Sequence, residues 1–125
     1  MKKLILTIAL SLFLIAPTQA SIISNLKIHN ISSDFTTYCH NEYARGCTYE
    51  GNIYIDKEWT DKENLYQFVL FHEVAHNLYA PFKQELGESN EEGICDMFAF
   101  WVITGIDLGD GLFQKMILNG YAEEK

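Results

Sequence analysis

An α+β fold, with a small antiparallel sheet packed on two or three helices, is what the patterning of this chain predicts. Three observations carry that expectation. Gly51-Asn52-Ile53-Tyr54-Ile55-Asp56 alternates with the period of a strand, Ile53 and Ile55 pointing to one face and Tyr54 to the other. From Leu65 to Tyr79, apolar residues and histidines recur three and four apart, and from about Asn90 to Thr104 the spacing is again helical. With 125 residues, no internal repeat and no linker, the chain has room for one domain.

The first segment stands outside that domain. Lys2 and Lys3 precede an apolar run, Leu4 to Ile15, interrupted only by Thr7 and Ser11, and Pro17-Thr18-Gln19-Ala20 closes it. Positive start, apolar core and small-residue exit form the pattern of a secretory signal peptide over residues 1–20, the domain then being 21–125. A membrane anchor is the competing reading, but the run is short against the roughly 20 residues that a span needs. No later stretch is apolar enough to cross a bilayer. Export to the periplasm or the medium follows, and the short signal suggests a bacterium. Cleavage after Ala20 leaves seven basic side chains against 17 acidic ones, a net charge of −10 where the full chain has −8. Such acidity argues against nucleic acid or an anionic membrane as partner.

Residues 21–33 carry β-branched residues in loose alternation and read as a strand, and Asp34 to Tyr49 reads as a loop or irregular hairpin. Cys39 and Cys47 flank a segment containing Asn41 and Gly46, so the chain can fold back and bridge them; a metal site of Cys39, His40 and Cys47 is the alternative, though adjacent Cys and His ligands fit the common spacings poorly. Closing so short a loop contributes on the order of 2 kcal/mol in the chain-entropy account. Thr60-Asp61-Lys62-Glu63 fits a capping box opening the first long helix, which Pro81 ends. Ser89-Asn90-Glu91-Glu92 fits a second box, opening a helix that stops near Gly105. A third helix is expected over about Gly111 to Leu118, with Gly120 just past its end.

His72-Glu73-Val74-Ala75-His76 is an H-E-x-x-H pattern on the first of these helices. One turn of helix places His72 and His76 on the same face, where both imidazoles can reach one metal ion, zinc above all. Glu73 sits beside that face as a candidate general base. A hydrolytic zinc site needs a third protein ligand. Where a third histidine would follow the pattern, Tyr79 and Phe82 stand in place of the required Gly and His, so a carboxylate on the next helix is expected. Glu92 supplies it, with Glu91 and Glu88 in reserve. Asp96, one turn beyond Glu92, is placed to accept from the far nitrogen of His72.

His72-Glu73-x-x-His76 followed by Glu92-x-x-x-Asp96-x-Phe98-Ala99 resembles the gluzincin metallopeptidases, most nearly their compact M48-type and ImmA/IrrE-type minimal domains. The resemblance covers roughly Gly51 to Trp101. It implies one Zn2+ per chain, hydrolysis of a peptide or protein substrate with Glu73 as general base, and alignment of that substrate by β-addition on an exposed edge of the strand Ile53-Tyr54-Ile55. Cys95 stands where those families often carry Ala. The tyrosine or histidine that steadies the oxyanion in many gluzincins has no motif here, Tyr54, Tyr79, Tyr121 and His40 all being candidates. So short a domain implies either a flexible peptide held along the edge or a protein partner that completes the cleft. The rival readings are a zinc-stabilised, catalytically inactive binding or scaffold protein of the cell envelope, and an exported partner protein whose histidine helix is coincidental.

Overall fold

Burial follows the alternation seen in the sequence: Ile53 and Ile55 are both fully buried. The strand that carries them lies at the centre of a sheet. The computed structural model describes residues 21–31, 35–40 and 44–121, and the segment 1–20, read above as a signal peptide, lies outside the described residues. A 3-10 turn at Ile23–Asn25 leads into β1 (Lys27–Ile31), α1 (Phe35–Cys39), β2 (Gly46–Tyr49), β3 (Asn52–Asp56), α2 (Lys57–Lys62) and α3 (Tyr66–Tyr79). A second 3-10 turn, Ala80–Phe82, is followed by α4 (Lys83–Leu86), α5 (Glu91–Thr104) and α6 (Leu112–Tyr121). The class is α+β, as expected. No helix among the described residues is long and apolar enough to cross a membrane.

The sheet order is β1-β3-β2, with β2 antiparallel to β3 but β1 parallel to it. The sheet is therefore mixed, and the expectation of a purely antiparallel one is corrected. The cause lies in the connections. Glu50 and Gly51, with φ of 50° and 81°, make a two-residue turn that compels β2 and β3 to pair antiparallel. Between β1 and β3 the chain is long enough to return in the same direction. The segment expected to be loop, Asp34 to Tyr49, contains both α1 and β2. Strand character begins only at Lys27, because Ser21 accepts from the amide of Ser24 at 3.1 Å and holds a turn there.

Neither capping box forms. Asp56 opens α2, accepting from the amide of Trp59 at 3.2 Å, while the Thr60 hydroxyl donates back to the Asp56 carbonyl at 2.9 Å from inside the helix. Asp56 is also paired with Arg45 at 3.2 Å, which fixes the carboxylate at the strand end and makes it the cap. Asn64, at φ 60°, then breaks the path, so the histidine helix starts at Tyr66. Ser89 makes no cap to α5 either. Glu92 is thereby free of the reciprocal role that a box would give it.

The core joins three helices: Ala75, Leu78 and Tyr79 of α3, Cys95, Phe98 and Ala99 of α5, and Phe113 and Met116 of α6. Burying each of the larger side chains contributes about 1.5–3 kcal/mol. α6 runs on past the expected end at Leu118, through Gly120. A Cβ at Gly120 would come to 2.3 Å from Leu78 Cδ2, so the glycine is there for close packing on α3 and not as a stop. Cys39 and Cys47 are bridged, with Cα atoms 5.7 Å apart, and tie α1 to β2.

Candidate metal centre

The site is built on two neighbouring helices. On α3, His72 and His76 project one turn apart, and α5 lies against that face. Their Nε2 atoms are 3.1 Å apart, and Glu92 approaches each at 3.1 Å, Oε2 to His72 and Oε1 to His76. His72, His76 and Glu92 form a group that could hold a metal ion. The opposite ring nitrogens are locked. His72 Nδ1 donates to Asp96 Oδ1 at 2.7 Å, and His76 Nδ1 donates to Glu91 Oε2 at 2.7 Å. An ionised carboxylate can only accept, so each ring presents N–H at Nδ1, and in a neutral imidazole so held Nε2 is the nitrogen with the lone pair.

Glu91 and Lys83 were not anticipated in these roles. Glu91 follows the turn of α5 just before Glu92, and the roughly 100° between successive helical residues lets the two carboxylates meet different parts of one histidine pair. Lys83 Nζ lies 3.0 Å from Glu91 Oε1. Burial acts to raise the Glu91 pKa, but the bonds from His76 and Lys83 outweigh it and hold the carboxyl below its usual range. Sequence spacing offered a faint signal for Glu91, as a reserve carboxylate, and none for Lys83.

Glu73 is buried beside the group, with Oε2 4.0 Å from His72 Nε2. Burial pushes its pKa up to about 7, against a smaller lowering by His72, and Glu92 adds to the rise. A carboxyl poised there can both take and return a proton near neutrality. Its seat depends on Gly46, where a Cβ would lie 2.5 Å from Val69 Cγ1 and 3.3 Å from Glu73 Oε2. Cys95 is buried in the core, and burial and then the surrounding carboxylates push its thiol far up, so it is a neutral core residue.

His72, Glu73, His76, Lys83, Glu91 and Glu92 line a cleft of about 530 Å3 whose opposite wall is β2 and the Cys39–Cys47 bridge. Here a second correction falls. β3 has a partner on each side, so Ile53, Tyr54 and Ile55 offer no free edge, and Tyr54 is stacked between His29 at 4.8 Å and Tyr38 at 5.0 Å. The edge at the cleft belongs to β2. The Tyr49–Asn52 pair flanks the two-residue turn, and the amide of Asp56 donates to the Arg45 carbonyl at 3.0 Å. In that register Tyr49, Cys47 and Arg45 bond to β3, leaving the amides and carbonyls of Gly46 and Thr48 directed outward. Of the four oxyanion candidates, none lines the cleft: the Tyr79 hydroxyl donates to the Gly87 carbonyl in the interior, and Tyr54, Tyr121 and His40 lie elsewhere.

The two outer carboxylates yield a first prediction. Asp96→Ala and Glu91→Ala each lower metal affinity about 10–100-fold by releasing one imidazole, as read by competition against a chelator. Affinity unchanged in both would mean that the bonds to Nδ1 orient nothing.

The fold and site thus define an α+β domain with a three-residue group suited to a metal ion, His72, His76 and Glu92, and a buried carboxyl beside it. Among known proteins, no family model, no curated protein and no solved structure matches the chain.

Proposed function

We propose that this protein is an exported zinc-dependent peptidase. The observation that carries the reading is the convergence of His72 Nε2, His76 Nε2 and a Glu92 oxygen at mutual approaches of 3.1 Å, with a buried carboxyl, Glu73, alongside. The donor set fits the metal: two imidazoles and one carboxylate are a common catalytic zinc triad, and a tetrahedral ion with bonds of about 2.0–2.1 Å spaces its ligands by about 3.3 Å. Zinc held there supplies Lewis acidity, which acidifies water and polarises a carbonyl.

The chain's own residues do the rest. Asp96 and Glu91 keep the two imidazoles in the tautomer that offers Nε2. Glu73 takes a proton from the attacking water and delivers it to the leaving amine, a task suited to a carboxyl with a pKa of about 7. Gly46 and Thr48 offer backbone hydrogen bonds to an extended peptide laid along β2. A binding protein with a purely structural metal site has no use for a buried, raised carboxyl such as Glu73, and this favours the enzyme over the inactive scaffold. Export is supported by the pattern of residues 1–20 and by the Cys39–Cys47 bridge.

The test is zinc content after dialysis against a weak chelator, followed by hydrolysis of a peptide library by the zinc-loaded protein. One zinc per chain with cleavage is expected. A protein that retains no zinc is not a metallopeptidase, and its helix carries the histidine pair by coincidence.

A further inference from the structure

α3 and α5 run antiparallel: His76 meets Glu91, His72 meets Asp96, and further along Leu65, Phe68 and Ile103 line one groove. At that far end lies a second groove, of about 630 Å3, with an apolar wall of Leu65, Phe68 and Ile103 and a polar remainder that includes Thr60, Asp61 and Asn64. It adjoins the metal cleft through one pair of rings, Phe68 lining the groove and His72 lining the cleft. Leu65, Phe68 and His72 follow one another at helical spacing, and Phe68 stacks on His72 with ring centroids 6.5 Å apart. On α5 the face that begins at Asp96 continues, one turn at a time, to Phe100 and Ile103. Leu65, Phe100 and Ile103 are 40, 37 and 45 % exposed, large apolar groups held in water at the end of a cleft.

Among the described residues β2 is an edge strand, and its Gly46 end lies toward this groove, against Val69. β2 runs alongside α3 in the same sense, Gly46 abutting Val69 and Glu73 while Thr48 accepts from Asn77 at 2.8 Å. A peptide added antiparallel to β2, the more stable of the two ladder arrangements, crosses His72 with its carboxyl-terminal part heading for Leu65. From His72 back to Leu65 the helical rise amounts to about 10 Å, which is about three residues of extended chain.

Resting on the peptidase reading, we infer that the Leu65–Phe68–Ile103 groove is a subsite for a large apolar side chain about three residues to the carboxyl-terminal side of the scissile bond. The substrate class is then an unstructured peptide with a hydrophobic residue at that distance. A lipid surface is the poorer occupant, because the groove is concave and the chain carries a net charge of −8.

The experiment is hydrolysis of a ten-residue peptide library, with Phe, Leu or Gly at each position, by the zinc-loaded protein and its Ile103→Asp and Leu65→Ser variants. Phe or Leu at about the third position beyond the cleaved bond is expected to raise kcat/KM about tenfold or more over Gly. Both variants are expected to bring that ratio close to one, with zinc content and circular dichroism unchanged as the check on folding. Cleavage with no such positional preference, or a preference that both variants keep, overturns the inference. So does a dimer that Ile103→Asp dissociates without altering the preference, since the face then belongs to a second copy. Binding of the same library to zinc-loaded Glu73→Gln separates the two levels. A Phe preference there, beside a native protein that cleaves nothing, leaves the groove standing and removes the peptidase; no preference in binding removes the groove.

Discussion

Replacing Glu73 with Gln is expected to reduce peptide hydrolysis about 10^2–10^4-fold, the range that a positioned general base contributes, while zinc content stays at its native level. Gln keeps the shape of the side chain and loses the ability to hold a transferable proton. The same variant carries an opposite expectation for the metal-free fold. In the folded chain the Glu73 carboxyl has a pKa of about 7, above its ordinary value of 4.5. Between those two values the native state holds a proton that the unfolded chain has released, so stability falls as pH rises through that interval. The contribution is fully present below about pH 4.5 and lost above about pH 7, an effect on the order of 3 kcal/mol. Metal-free Glu73→Gln should therefore be more stable than the metal-free native protein at pH 8, with the difference shrinking toward pH 4.5. Urea midpoints measured across that range report it. Parallel pH profiles for the two proteins would mean that the carboxyl is well hydrated, and the case for a poised base would go with them.

Glu92→Ala is expected to strip the metal. The loss of affinity should exceed the roughly 10–100-fold that removal of an outer hydrogen-bond partner costs, because one of only three protein donors disappears. The fold should survive, since the Glu92 side chain is 75 % exposed, caps no helix, and faces only the two imidazoles. Zinc per chain after dialysis against a weak chelator is the readout, with the thermal transition of the metal-free protein as control. Equal zinc in variant and native protein would move the third ligand to Glu91 or Asp96.

The site was more legible in the sequence than the sheet, for a physical reason. Helical geometry converts a spacing of four residues into a shared face, so His72 with His76, and Glu92 with Asp96, could be placed by arithmetic alone. The bond from His72 to Asp96 is the one expected from that arithmetic. The partner of His76 was not legible, because the choice between Glu91 and Glu92 depends on the rotation of α5 about its axis, which is set by core residues such as Cys95 and Phe98. Strand order depends on pairing across distance. The alternation of Ile53 and Ile55 says that one face is buried, yet nothing local says that Lys27 will lie opposite Asn52 and turn an expected edge into the centre. The cap at Asp56 illustrates competition: Thr60 and Ser89 had the right neighbours in sequence, but a carboxylate clamped by Arg45 at the end of β3 started its helix four residues sooner.

The locality of the site has a consequence for how the chain acquires it. His76 and Glu91 are 15 positions apart and His72 and Asp96 are 24, so the three candidate ligands and the carboxylates that hold the imidazoles lie on one helical hairpin. Closing loops of that length costs little conformational entropy, and the cost grows only slowly with length. Contacts so close in sequence are also the kind that form early. Newly made chain can thus assemble the α3–α5 pair ahead of the β1–β3 ladder, and a metal ion captured at that stage would stabilise the hairpin by mass action. Scarcity of that metal should then slow maturation of the whole domain, and the hairpin is the natural piece to graft onto another scaffold.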